Sequence, residues 1–243
     1  MPKNSKIVFL IVPILLYIGF IVCLAVNVAT ELIFLIYFVW CMGLPLLMII
    51  LQKESLRQRF GLGGARPCGY SLMFFVLVSS SIVSVLLCYL GLDTQVRNNV
   101  MIFVIFAPFA EEIFFRGYIQ GNFEKFFKST KNKFLKLNKN KKAVHIAEII
   151  PIFLTALLFC MAHFKVEYFS SAFIGYFIFG IIFGGIMALT KSITFPISAH
   201  MFWNSLIMIS VYNITFISVL VQLSIGLIGI FVYLVVLKIK QTR

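Results

Sequence analysis

Residues 100–119 read VMIFVIFAPFAEEIFFRGYI, an apolar run long enough to cross a lipid bilayer as a helix. Two adjacent carboxylates, Glu111 and Glu112, lie inside this run. An ionisable side chain at the centre of a membrane-spanning helix costs about 2.5 to 3.5 kcal/mol, so such a pair requires a partner, a water-filled cavity or a function. Arg116 follows Glu112 by one helical turn, and we predict that it is this partner.

The whole chain has the composition of a polytopic membrane protein. Its 243 residues are 61% hydrophobic and 12% charged, which is outside the range of soluble globular domains. Apolar stretches of about 18 residues or more predict about eight spanning helices, near residues 7–26, 32–51, 71–92, 100–119, 147–164, 172–190, 193–210 and 214–237. We therefore predict an all-α integral membrane protein with a single membrane domain over residues 1–243.

The net charge of +13 is explained by membrane topology rather than by nucleic-acid binding. Lys and Arg are concentrated in every second predicted loop, and the positive-inside rule then places both termini in the cytoplasm. Residues 120–146 are the most extended polar stretch, and we predict a basic cytoplasmic loop that lies along the inner membrane face. The predicted partners are the lipid bilayer and a membrane-associated substrate, with no nucleic acid; the oligomeric state is left open.

Two of the three histidines, His163 and His200, lie in apolar surroundings. Asn204 follows His200 by one helical turn, and Phe159 precedes His163 by the same spacing, so each pair shares a helix face. Taken singly, His and Asn are also common as interhelical hydrogen-bonding residues. Together with the two glutamates they form a set that can activate water and stabilise an oxyanion, which suits hydrolysis.

The same set leaves metal-dependent and metal-free chemistry both open. A zinc site would use Glu111, His163 and His200 as ligands, with water in the fourth position. The helix-borne HExxH motif and the serine-enzyme GxSxG motif are both absent from the sequence. Asp93 is the only aspartate, which excludes a two-aspartate intramembrane protease. The cofactor prediction is therefore zinc or none.

Three motifs occur in order along residues 96–212: EExxxR at Glu111 to Arg116, FxxxH at Phe159 to His163, and HxxxN at His200 to Asn204. In this combination the chain resembles the CAAX-protease and bacteriocin-processing family, also called the abortive-infection or CPBP family of intramembrane endopeptidases. The resemblance implies an eight-helix enzyme of the bacterial plasma membrane, with its site in a cavity between helices.

The resemblance also implies a role for each motif residue. Glu111 would be the principal base, Glu112 its partner and His163 the second water-activating group. His200 and Asn204 would stabilise the oxyanion, and Arg116 and Phe159 would support the site. The substrate would be a membrane-associated protein or peptide, for example in peptide maturation or in self-immunity to a bacteriocin.

Two other classes of function stay open at the level of sequence. One is a non-enzymatic immunity or scaffold protein that uses the cavity only for binding, and the other is a proton-coupled transporter, which also needs intramembrane Glu and His. A new peptide terminus in a substrate distinguishes a protease from both. Glu111 falls near the middle of its predicted span, whereas His163 lies close to the extracytoplasmic end of the next. If the helix carrying Glu111 continues past Arg116 towards Phe127, the acids lie deeper and can meet His163.

Overall fold

The computed structural model describes residues 3–25, 35, 37–61, 100–128, 141–163 and 171–211, and every regular element within them is helical. The all-α prediction is therefore confirmed for the described part of the chain. The chain divides into two compact units. The first comprises Met1–Leu62 and Ala110–Ile193, and the second comprises Gly63–Phe109 and Thr194–Arg243.

The elements are α-helices and three π-helical segments. In chain order they are α1 (Lys3–Ala25), π1 (Tyr37–Gly43), α2 (Leu44–Leu51), α3 (Leu56–Arg59), π2 (Ile102–Phe106), α4 (Ala107–Glu112), π3 (Ile113–Gln120), α5 (Lys141–Ala162), α6 (Ser171–Thr190) and α7 (Thr194–Val211). Residues 100–128 are helical throughout, and we call them the glutamate helix. The helix does continue past Arg116 towards Phe127, which is the condition under which Glu111 can meet His163.

One described helix is long and apolar enough to cross a membrane, over Phe173–Thr190. Shorter apolar helices cover Ile11–Val22, Phe38–Leu51 and Ile149–Ala162. These four segments fall within four of the predicted spans, whereas the predicted spans 71–92 and 214–237 lie outside the described residues. The count of eight spans therefore stays a prediction.

Helix α1 has one exposed apolar face and one buried face. The exposed residues recur every three or four positions and are Ile11, Leu15, Ile18 and Val22. On the buried face, Tyr17 packs edge-on against Phe115 with ring centroids 6.4 Å apart, and Phe20 packs against Phe114 at 5.6 Å. An apolar face of this width is typical of a helix that contacts lipid on one side and protein on the other.

Helices α5 and α6 form a closely packed antiparallel pair. A Cβ atom added at Gly180 would lie 2.8 Å from the Cα atom of Ala156, and one at Gly184 would lie 3.0 Å from the Ile152 side chain. Small residues allow two helix backbones to approach in this way. At Gly175 of the same helix, by contrast, no atom of another described element lies within 4 Å of the added Cβ. The close approach is therefore local to Gly180 and Gly184.

Candidate active site

Glu111 and His163 form a pair in the first unit. The Glu111 Oε2 atom lies 3.6 Å from Nε2 of His163, and the two side chains are 6% and 22% exposed. The His163 Nδ1–H donates to the backbone carbonyl of Phe159 at 2.8 Å, because a carbonyl can only accept. In the neutral imidazole, Nε2 then carries the lone pair. A separation slightly above hydrogen-bond length is suited to a water molecule that contacts both groups.

Two aromatic rings flank the His163 imidazole. The Tyr176 ring of α6 is stacked on it, with centroids 4.4 Å apart and planes 22° apart. The Phe159 ring, one turn earlier on α5, lies at 4.6 Å with its plane tilted by 45°. The imidazole is therefore held by one hydrogen bond and two ring contacts.

Glu112 and Arg116 form a second pair on the same helix. The Arg116 Nε atom lies 3.2 Å from Oε2 of Glu112, and both side chains are completely buried. The predicted partnership of Arg116 with Glu112 is therefore confirmed. A buried ion pair is expensive to desolvate, and removing one member leaves an uncompensated charge, which costs about 3 to 5 kcal/mol. Its presence fixes this turn of the glutamate helix.

The Arg116 guanidinium is also enclosed by aromatic rings and by α6. Its Cζ atom lies 4.6 Å from the Phe159 ring centroid and 5.5 Å from that of Phe183. Its Nη2 donates to the carbonyl of Gly180 at 3.3 Å. One turn later, Gln120 Nε2 donates to the carbonyl of Gly184 at 3.1 Å. The glutamate helix is thereby joined to α6 at two glycines, where no side chain obstructs the carbonyls.

Arg59, at the end of α3, holds the glutamate helix from another side. Its Nε donates to the carbonyl of Gly117 at 2.8 Å and its Nη2 to the carbonyl of Tyr118 at 3.1 Å. Its Nη1 pairs with Glu54 at 3.3 Å. Burial lowers the pKa of Arg59 to about 10, with the charge of Glu124 opposing the shift, so the guanidinium stays charged at neutral pH.

The basic stretch predicted over 120–146 is helical at both of its ends. Residues 121–128 end the glutamate helix, and α5 begins at Lys141. Lys125 pairs with Glu54, and Lys128 pairs with Glu124 at 3.1 Å. Residues 129–140 lie outside the described part, so the predicted position of this stretch along the membrane face stays a prediction.

His200 and Asn204 lie in the second unit, one turn apart on α7. Each is about 5% exposed. The Asn204 Nδ2 donates to the carbonyl of Phe103, in π2, at 2.9 Å. This bond uses one of the two N–H groups of the amide and leaves the other for a further acceptor. The structure thus brings Glu111, Glu112, Arg116, Phe159 and His163 together in one unit, and His200 with Asn204 in the other.

A zinc site would need at least three suitable side chains close together. Among them, no group of three or more His, Cys, Asp and Glu side chains is arranged to hold a metal ion. The pair formed by Glu111 and His163 supplies two donors, whereas catalytic zinc sites use three protein ligands. We therefore derive no step through a metal.

Two contacts of this site were missed by sequence reasoning. Tyr176 lies in IGYFIFGIIFGGIMAL, residues 174–189, where it is the one residue with a side-chain hydroxyl, and that was the only available signal. Arg59 belongs to a basic loop in which nothing distinguishes it from Arg57 or Arg66. Both residues contact the site from elements that are distant in the sequence, so local spacing does not reveal them.

The site joins a buried Glu and Arg pair to a Glu and His pair whose imidazole is partly exposed, an arrangement that suits hydrolysis. Residues 93–206 match the family model described as type II CAAX prenyl endopeptidase Rce1-like. This match agrees with the resemblance to the CAAX-protease family that the three motifs indicated, and it supports a membrane-embedded protease of that general type. No curated protein and no solved structure matches the chain.

Proposed function

We propose that this protein is an intramembrane endopeptidase that hydrolyses a peptide bond of a membrane-associated protein or peptide, with a water molecule activated by Glu111 and His163. The observation that carries the proposal is the separation of 3.6 Å between Glu111 Oε2 and His163 Nε2, in a family of endopeptidases. A water molecule beside both atoms could donate one hydrogen to each of them.

The proposed reaction needs only proton transfer and attack by water. The Glu111 carboxylate takes a proton from the water while the water oxygen forms a bond to the scissile carbonyl carbon. The carbonyl oxygen becomes an oxyanion. When the tetrahedral intermediate collapses, the C–N bond breaks and the proton held by Glu111 passes to the departing nitrogen. The products are a carboxylic acid and an amine.

The fixed tautomer of His163 supports this assignment of roles. Because Nδ1–H is bonded to the Phe159 carbonyl, Nε2 can accept a hydrogen bond from water without giving up a proton. Glu112 is occupied by Arg116 and is assigned no proton transfer. Its proposed task is to hold Arg116 and, with it, the turn that presents Glu111.

The proposed roles of His200 and Asn204 come from the HxxxN motif. A protonated or neutral imidazole N–H and an amide N–H are both donors that can stabilise a developing oxyanion. Losing one such donor typically lowers kcat by about a hundredfold to a thousandfold. The second N–H of Asn204, which the Phe103 carbonyl does not use, is the group we assign to this role.

The test compares cells that carry the wild type with cells that carry Glu111→Gln at matched membrane abundance, and surveys new peptide termini in both. Termini present only with the wild type are expected, and they identify the substrate. In parallel, purified protein is incubated with a farnesylated CAAX peptide, and the products are analysed by mass spectrometry. Termini and peptide products that are identical with and without Glu111 would contradict the proposal and favour a binding protein or a transporter.

We also propose a multi-pass arrangement in the bacterial plasma membrane with both termini in the cytoplasm, which rests on the alternation of basic loops. Reporter domains fused to each terminus test it. Activity of a cytoplasm-specific reporter at both termini is expected, and a periplasm-specific signal at either one contradicts the arrangement.

A further inference from the structure

Tyr176 makes a contact with the site that none of the three motifs explains. Its ring lies 4.4 Å from the His163 ring, with the planes 22° apart, so the two rings are nearly parallel. Tyr176 is on α6, whereas the motif residues of the first unit lie on the glutamate helix, on α5 or, for His163, directly after α5. Helix α6 therefore reaches the reacting groups through this residue.

The hydrogen bond from His163 Nδ1 to Phe159 does not by itself fix the orientation of the imidazole ring. A single hydrogen bond of this kind is weak enough to break, and the ring plane can then rotate about the Cβ–Cγ bond. Such a rotation would move Nε2 relative to Glu111 Oε2. The parallel Tyr176 ring on one face and the tilted Phe159 ring on the other restrict this rotation.

The position of Tyr176 relative to His163 is fixed by contacts between α5 and α6. One turn before His163, the Cys160 Sγ donates to the carbonyl of Phe173, which lies one turn before Tyr176, at 3.0 Å. The close approach of Gly180 to Ala156 fixes the same helix pair further along.

We propose that Tyr176 is a positioning residue, whose ring, rather than its hydroxyl, holds the His163 imidazole in the orientation that directs Nε2 towards Glu111. This inference rests on the proposed function for its catalytic consequence, although the orientation itself is a property of the folded protein. Misplacing a reacting group by about 1 Å can lower a rate by about a hundredfold.

Three variants separate the ring from the hydroxyl and from general packing. Tyr176→Phe keeps the ring and removes the hydroxyl, and Tyr176→Leu removes the ring. Phe177→Leu is the matched control, because Phe177 is the next residue on α6 and its ring packs against Phe153, with centroids 5.3 Å apart. A general effect of losing an aromatic ring from α6 would appear in both Leu variants.

The first readout is ¹⁵N NMR of protein labelled at histidine, which does not depend on cleavage. The chain has three histidines, so His145→Gln and His200→Gln assign the remaining signal to His163. We expect a single Nδ1–H tautomer in the wild type, in Tyr176→Phe and in Phe177→Leu, and a mixture of tautomers in Tyr176→Leu. An unchanged His163 signal in Tyr176→Leu overturns the proposal.

The second readout is the cleavage rate of the farnesylated CAAX peptide. Tyr176→Leu should lower kcat by about tenfold to a hundredfold with little change in KM, whereas Tyr176→Phe and Phe177→Leu should stay near the wild type. Equal losses in Tyr176→Phe and Tyr176→Leu would assign the role to the hydroxyl and overturn the ring proposal. If the wild type itself shows no cleavage dependent on Glu111, the proposed function fails, and the NMR readout still decides the positioning role.

Discussion

Glu111 and Glu112 are neighbours in the chain, yet they face two different environments. The Glu112 side is closed: its carboxylate meets a fully buried guanidinium, which is itself enclosed by the Phe159 and Phe183 rings and the Gly180 carbonyl. The Glu111 side is partly open, because its partner His163 has a side chain that is 22% exposed. The difference shows that adjacent carboxylates on one helix turn can have partners of different burial: Glu112 pairs with a fully buried guanidinium, and Glu111 lies beside a partly exposed imidazole.

The largest expected effect tests the partly open environment of Glu111. Glu111→Gln keeps the shape of the side chain and removes the base, so cleavage should fall by about a thousandfold to ten-thousandfold, the upper range for general acid–base catalysis. The free energy of unfolding should change by less than about 1 kcal/mol, because the ion pair between Glu112 and Arg116 is kept. Peptide cleavage and thermal unfolding in the same detergent measure the two quantities. A stability loss as large as that of Glu112→Gln would erase the distinction between the two sides.

The second prediction tests the closed side. Glu112→Gln should lower the free energy of unfolding by about 3 kcal/mol, because the buried Arg116 charge loses its counter-ion. The double variant Glu112→Gln with Arg116→Met should recover part of this loss, since no buried charge is then unpaired. Thermal unfolding of both variants, compared in a double-mutant cycle with Arg116→Met alone, measures the coupling. Additive effects in that cycle would contradict the pairing.

The third prediction concerns the packing that supports Arg116. Gly180→Ala should destabilise the protein by about 1 to 3 kcal/mol, because the new methyl group meets the Ala156 backbone and the helices α5 and α6 must separate. Gly175→Ala is the control on the same helix, where no atom of another described element lies within 4 Å of the added group. There, the better helix propensity of Ala should leave stability equal or raised by about 0.5 to 1 kcal/mol. Similar unfolding temperatures for the two variants would contradict the close approach.

The smallest predicted effect concerns Arg59. Arg59→Lys keeps the charge but cannot reproduce the two donors aimed at the carbonyls of Gly117 and Tyr118, so we expect a loss of about 1 kcal/mol in the free energy of unfolding. Lys128→Gln is the control, because its exposed pair with Glu124 should contribute less than about 0.5 kcal/mol. Denaturant or thermal unfolding distinguishes the two. A larger loss for Lys128→Gln than for Arg59→Lys would contradict the prediction that the Arg59 contacts contribute more to stability than the exposed pair of Lys128 with Glu124.

The two side-chain pairs of the site in the first unit could be predicted from the sequence. The pairing of Glu112 with Arg116 follows from a separation of one helical turn, and apolar surroundings make such a pair necessary. The contact of Glu111 with His163 followed from the three motifs and the expected extension of the glutamate helix. The catalytic roles of these residues, and those of His200 and Asn204, stay predictions.

The remaining features could not be predicted for physical reasons. Whether an apolar segment winds as α or π depends on which backbone carbonyl accepts each N–H, and the apolar side chains of π2 and π3 carry no pattern that separates the two. The stack of Tyr176 on His163 depends on the register between α5 and α6. Close contacts at Gly180 and Gly184 set this register, and the sequence does not show which glycines of α6 face α5. The eight-span count depends partly on segments beyond the described residues.

In the π-helical segment Ile113–Gln120, the number of residues is as constrained as their identity. A one-residue deletion between Glu112 and Gly117 shifts every later residue by one position around the helix axis. The carbonyls of Gly117 and Tyr118 would then turn away from Arg59, and Arg116 would lose its present spacing from Glu112. All eight residues of this segment are buried, so no part of it can loop out without cost. Insertions and deletions here should therefore be lost from any lineage that keeps the enzyme, even where exposed positions such as Ile102 vary freely.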